Sequence, residues 1–433
     1  MSPGITPDLA YAAAVAGLPR MTPHRLRALL RSGTQRRTGR SVWEEILGDR
    51  VAVAARLGAM RSFGPPERTS DARPTPAFGG ELPSRARRQD PHATALAWSE
   101  KARAHDVAAG WELLASSGTR VVRLGDGAYP SRLRDDDFPP ELLFVRGDLA
   151  TSELPAAAIV GTRKATHYGR EVAAELGAGL ARAGVCVVSG LAIGIDSAAH
   201  EGALAPRASA GPLAVSGGGV DVVYPLRNRR LAERIAAAGA IISEAPPGAT
   251  PEAWRFPLRN RIIAALAQTV VVVESTLKGG SMHTVEAALS RGRQVFAVPG
   301  SVTSPASEGT NELLASGALV ARNADDVIAE VEMRCLAEGL AMPLAAGRSP
   351  HGGDGHGATA TTRLAASGPE VRRRLAQCSV EEHEAYSAVD EHPTPIDVIC
   401  ERTSLRLGAA ALALDRLAEL GLVVAADGAW RRR

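Results

Sequence analysis

Six short apolar runs, most of them followed by a helical pattern, constrain this chain more than any other feature. They are Ala157-Ala158-Ile159-Val160-Gly161, Val185-Cys186-Val187-Val188-Ser189-Gly190, Pro212-Leu213-Ala214-Val215, Ala240-Ile241-Ile242-Ser243, Thr269-Val270-Val271-Val272-Val273 and Gln294-Val295-Phe296-Ala297-Val298. A strand without polar alternation is buried on both faces, and helices at 169–183, from about 196, at 228–238 and at 281–291 supply the cover. The expected fold class is α/β: a Rossmann-like doubly wound parallel sheet.

The chain has 433 residues, which exceeds one domain at roughly 150 residues each. Residues 1–62 read as a small helical N-terminal domain of the SAM or helix-hairpin-helix kind. Leu9, Ala13, Leu18, Leu26, Leu29, Leu30, Ile46 and Leu47 recur at helical spacing, and Thr22-Pro23 reads as an N-cap with proline at the first helical position. Such a unit either binds nucleic acid through backbone amides or simply packs. Residues 63–94 form a Pro/Arg-rich linker, 95–334 the Rossmann-like domain opening on a helix at 95–117, and 335–378 a flexible linker. His351 and His356 in that linker read as solvated more readily than as metal ligands. Helices at 380–390, 395–401 and 405–420 with a closing hairpin give 379–433 a winged-helix pattern.

A net charge of +3 is small for this length, so affinity for nucleic acid must come from clustered cations. The four cysteines, Cys186, Cys335, Cys378 and Cys400, form no zinc spacing and read as reduced thiols. No signal segment and no apolar stretch of about 20 residues is present, which gives the expectation of a cytoplasmic protein without membrane contact.

In open α/β sheets ligands bind beyond the carboxyl ends of the strands, and there the informative residues fall. Gly161 allows a close turn, and Arg163 and Lys164 bring charge to it. The turn is not G-x-G-x-x-G, so no dinucleotide cofactor is expected, and no metal or catalytic residue either. Asp196 suits a helix N-cap with His200 one turn on, a structural pair in the absence of a nucleophile. Arg255, Arg259 and Arg261 are interleaved with Trp254 and Phe256 and followed closely by Asn260. That mixture offers guanidinium forks for phosphates and ring faces for bases. Lys278, Gly280 and Ser281 precede a helix as a second anion-binding turn.

These loops, in this order, resemble the DNA-processing protein A family (DprA, also called Smf). The resemblance is carried by Val160-Gly161-Thr162-Arg163, Tyr168-Gly169, Ser189–Asp196 with Ala199-His200, Gly219-Val220-Asp221, Tyr224-Pro225, Ser243-Glu244, Phe256–Ile263 and Gly292–Gly300. Upstream, Tyr129-Pro130 and Phe144-Val145-Arg146-Gly147 fit as well. The family's anion turn reads Ser-Gly-Ser where this chain has Gly279-Gly280-Ser281.

The resemblance implies a non-enzymatic recombination mediator. It would bind and protect incoming single-stranded DNA and help load the RecA recombinase in natural transformation, as a homodimer. Arg163 would bind phosphate, Arg259 and Arg261 would line the same pocket, and Phe256 would stack on or support a base. Three phosphate-pairing arginines imply a log–log salt slope near −2, at roughly −0.7 per phosphate. The alternative is a Rossmann-like nucleotide N-glycosidic hydrolase, suggested by Gly279-Gly280 with Glu286.

Overall fold

The computed structural model describes residues 7–32, 35–59, 90–206, 208–338, 379–389, 394–403, 405, 407–420, 422–426 and 429–432. Most of the 63–94 and 335–378 stretches, with His351, His356 and Cys378, lie outside the described residues. The chain divides into two compact units, Met1–Ala346 and Gly347–Arg433.

The larger unit opens with α1 (Asp8–Ala16), α2 (Pro23–Leu30), an antiparallel pair β1 (Arg31–Ser32) and β2 (Gln35–Arg36), α3 (Gly39–Gly48) and α4 (Arg50–Ala59). Thr22 caps α2 by accepting the Arg25 amide at 3.2 Å, with Pro23 at the first helical position. The single helix expected at 95–117 is two: α5 (Pro91–Arg103) and α6 (Val107–Ser116). The chain breaks before Asp106, whose carboxylate accepts the Ala108 and Ala109 amides and so starts a new helix. Trp98 of α5 is fully buried and donates Nε1–H to the Pro19 carbonyl at 2.8 Å. With Leu29, Trp43 and Ile46 it joins one apolar core that continues to Phe144 and Ile235.

The sheet and its covering helices follow as β3 (Arg120–Arg123), α7 (Ser131–Arg134), β4 (Leu142–Gly147), β5 (Ala156–Val160), α8 (His167–Arg182), β6 (Cys186–Ser189), α9 (Ile195–Ala203) and β7 (Leu213–Val215). Next come α10 (Arg229–Ala238), β8 (Ala240–Ser243), α11 (Arg255–Leu266), β9 (Thr269–Val272), α12 (Met282–Leu289), β10 (Gln294–Ala297), α13 (Glu308–Ala315), β11 (Leu319–Val320) and α14 (Ala324–Ala337). The strand order is β11-β10-β9-β5-β6-β7-β8-β4-β3, parallel from β11 to β8. All six expected strands are present. β3 and β4 join the edge antiparallel and were not part of the sequence pattern.

Each central strand divides its side chains between two cores, as a pleat requires. Ala157, Ile159, Val187 and Val271 meet Leu176 and Leu180 of α8, Ile195 of α9 and Val331 of α14. Ala158, Val160, Val188 and Val272 meet Ile262 and Leu266 of α11 and Val285 of α12 on the other face. From β5 the chain winds outward to β8, then returns to the opposite side of β5 as β9. The carboxyl ends of β5 and β9 therefore flank the topological switch point, where an open α/β sheet leaves a crevice.

The smaller unit has α15 (Val380–Ala388), β12 (Thr394–Pro395), α16 (Ile396–Arg402), α17 (Leu407–Glu419), β13 (Val423–Ala426) and β14 (Ala429–Arg432). Its antiparallel sheet runs β12-β14-β13. Ala385, Ile399, Leu414, Leu417 and Leu422 form its core. Ser379 and Glu382 close a capping box at the start of α15.

Candidate nucleic-acid interface

At the switch point lies an open cleft of about 500 Å³. Gly161, Arg163, Lys164, Phe256, Arg259, Asn260, Gly280 and Ser281 all line it. Eight of the residues singled out in the sequence thus converge from three separate stretches of chain. Arg163 and Lys164 leave β5 on an exposed turn. The Arg163 guanidinium lies 4.6 Å from the centroid of the Phe256 ring, within cation–π range.

A second aromatic completes this face. The Tyr224 ring is 6.3 Å from that of Phe256 at 47°, and its side chain stays half exposed. Tyr224 is not among the candidate site residues of the sequence reading. Its signal is an aromatic five residues beyond the glycine run that follows β7.

The segment from Arg255 to Arg261 is not a loop but the start of α11, with Pro257 inside the first turn, where its missing N–H costs nothing. Residues two apart on a helix face different sides, so Arg259 and Arg261 do not share a pocket. Arg259 turns inward and is buried; its Nη1 donates to the carbonyls of Gly190 and Val215, joining the ends of β6 and β7. Burial lowers its pKa to about 10, opposed by the charge of Asp196. Arg261 points away, paired with Glu244, donating to the Phe138 carbonyl at 2.7 Å and standing 5.0 Å from the Phe138 ring centroid. Arg255 stacks 4.5 Å from the Trp254 ring centroid beside Glu252. Neither lines the cleft, and Lys278 is exposed on the following turn. Asn260 donates to the Gly280 carbonyl at 3.2 Å, tying α11 to the turn that carries Ser281.

Asp196 sits in the first turn of α9 rather than at its N-cap, which is Gly194. Burial raises the Asp196 pKa, and Arg259 opposes that shift. His200 is completely buried, and burial pushes its pKa down to about 3. The pair is thus a buried structural feature with a neutral imidazole. Glu286 is exposed on α12, 3.6 Å from His283. Among the described residues no group of His, Cys, Asp and Glu side chains is placed to hold a metal ion, and no helix is long and apolar enough to cross a membrane.

The description DNA recombination-mediator protein A fits a family match over residues 120–332, from β3 into α14. Over 218 residues the chain is 38% identical to the DNA processing protein DprA of Bacillus subtilis, covering half of this chain and 73% of that protein. The chain belongs to the DNA recombination-mediator protein A family.

Similarity extends to the putative DNA processing protein DprA of Mycobacterium tuberculosis, at 43% identity over 230 residues. That alignment takes in 50% of this chain and spans 59% of the relative's length. The X-ray structure of DprA from Streptococcus pneumoniae matches with a TM-score of 0.50 and 29% identity, over 72% of this chain and 99% of that one. Every cleft residue named above falls within the stretch matched to the DNA recombination-mediator protein A family.

Proposed function

We propose that the switch-point cleft binds single-stranded DNA, and that the chain protects such DNA and helps load a RecA recombinase onto it during transformation and recombination. In this reading it acts without catalysis, in the cytoplasm, as a homodimer. The observation that carries the reading is the stack of Arg163 on Phe256, with Lys164 and Tyr224 beside it. An exposed guanidinium over an aromatic ring offers a phosphate fork and a stacking face at one spot. A single strand presents both partners at once, whereas a duplex hides its base faces.

Arg163 and Lys164 take backbone phosphates, while Phe256 and Tyr224 take bases. Arg259 and Asn260 shape the cleft from behind, and the Gly280–Ser281 turn, with Lys278 beyond it, forms its far rim. Arg255 and Arg261 hold α11 in place. Within the same reading residues 1–62 are a helical domain, 63–94 and 335–378 are linkers, and 379–433 are a winged helix that contacts a partner or duplex DNA weakly.

The test is fluorescence anisotropy of labelled oligo-dT and its duplex counterpart across a salt series, with wild type and Arg163→Ala. Two phosphate-pairing cations predict a log–log salt slope of about −1.4, shallower than three arginines would give. Preference for the single strand, weakened in the variant, is the expected result. Preference for the duplex, or equal binding by the variant, rejects the cleft as the site.

A further inference from the structure

The amino end of α8 is where a doubly wound fold ordinarily takes a nucleotide's pyrophosphate, since it follows the first strand of the parallel set at the switch point. In this chain a carboxylate already stands there. Glu274, just beyond β9, is only 2% exposed. It accepts the Thr166 amide at 2.9 Å and the Thr166 hydroxyl at 2.5 Å. Thr166 is the N-cap of α8. A Cβ on Gly169, in the first turn of that helix, would overlap the Glu274 carboxylate. The Glu274 carbonyl also accepts the Thr162 amide at 2.7 Å, so both ends of the turn bearing Arg163 and Lys164 are fastened to one residue. Among the described residues no ion pair involves Glu274. The positive end of the helix is what its charge faces.

We infer that Glu274 is a specificity-determining positioning residue: its carboxylate occupies the helix-end anion site as a built-in substitute for a phosphate, holding the 161–166 turn in shape and denying that site to free nucleotides. Anion binding is thereby left to the exposed side chains of Arg163 and Lys164. These suit a polymer that meets several weak contacts at once rather than a small phosphate that needs one deep socket. The polymer half of this inference rests on the single-stranded-DNA reading above; the occupancy half does not, and it is tested without DNA.

Thermal melting of the full chain is followed with inorganic pyrophosphate or acetate, against chloride at matched ionic strength, for wild type and Glu274→Ala. Vacating the site should let either anion enter it. The variant's Tm then rises by roughly 1–2 °C at several times the anion's Kd, beyond any weak response that exposed Arg163 and Lys164 give in the wild type. An equal rise in the wild type, or no specific rise in a folded variant, overturns the proposal. Should Glu274→Ala fail to fold, Glu274→Ser removes the carboxylate and vacates most of its space while keeping a small polar side chain. A rise of the same sign is expected there, and its absence is equally fatal. Loss of oligo-dT binding has no bearing on this readout, so failure of the DNA reading and failure of the occupancy are told apart.

Discussion

Gly190 and Arg259 are fitted to one another: a Cβ on Gly190 would overlap the Arg259 guanidinium, which donates to the Gly190 carbonyl. The close approach needs a residue with no side chain, and the arginine gains from it a route into the sheet between β6 and β7.

Gly190→Ala should therefore act through Arg259. Dislodging a buried guanidinium from its carbonyl partners and from Asp196 should cost roughly 3 kcal/mol or more in urea unfolding. In an Arg259→Ala background the same glycine change should cost far less, giving a coupling of about 2–3 kcal/mol in a double-mutant cycle. Additive losses would mean that Gly190 serves some other purpose, such as the backbone geometry before Leu191.

Phe256 and Arg163 touch, yet the proposed function gives them separable tasks. Phe256→Ala should weaken oligo-dT binding by about 1–3 kcal/mol per stacked base and leave the salt slope unchanged. Arg163→Ala should make the slope shallower by about 0.7. Titrations of both variants at several salt concentrations check this. A slope altered by Phe256→Ala would mean that the ring serves only to hold the guanidinium.

The parallel sheet was legible because its strands are apolar without interruption, and only burial on both faces explains Val270–Val273. β3 and β4 were not, since Arg120-Val121-Val122-Arg123 is short and its pairing partner lies beyond a turn and a helix. The cleft was legible as a list of loops, because loops at strand ends carry ligands whatever the ligand is. Side-chain direction was not. Pro257 suits a first helical turn, but no Ser, Thr, Asp or Asn stands directly before Arg255 to mark the start of a helix. Only the helical turn separates Arg259 from Arg261. Glu274 and Tyr224 were missed for a different reason: a lone Glu after a strand and a Tyr before a proline acquire meaning only when Thr166 and Phe256 arrive from elsewhere in the chain.

Arg261 supplies the contrast to Arg163. Its side chain and that of Glu244 are each 13% exposed, and the two are paired. Arg261→Ala leaves the Glu244 carboxylate largely buried without that cation, so stability should fall by roughly 3 kcal/mol. Glu244→Gln in the same chain should recover part of it. The salt slope of oligo-dT binding should not move in either folded variant. A shallower slope for Arg261→Ala would return this residue to the DNA-binding set.

His200 makes the fold acid-sensitive with a definite sign. Its folded pKa is about 3 against about 6.5 in an unfolded chain. Below pH 6.5 the unfolded chain takes up a proton that the folded one refuses, so this contribution to stability is complete above 6.5 and is lost as pH falls toward 3. The slope approaches 1.4 kcal/mol per pH unit within that window, or about 2 kcal/mol between pH 6 and 4.5. Asp196 works in the opposite direction as pH falls through its raised pKa, because burial raises that pKa and the folded state then holds the extra proton. The comparison that isolates the histidine is urea unfolding of wild type and His200→Asn at pH 6 and 4.5. The wild type should lose about 2 kcal/mol more than the variant across that interval. Equal losses would mean that the folded chain protonates His200 in place, and that its imidazole reaches solvent more readily than a fully buried ring should.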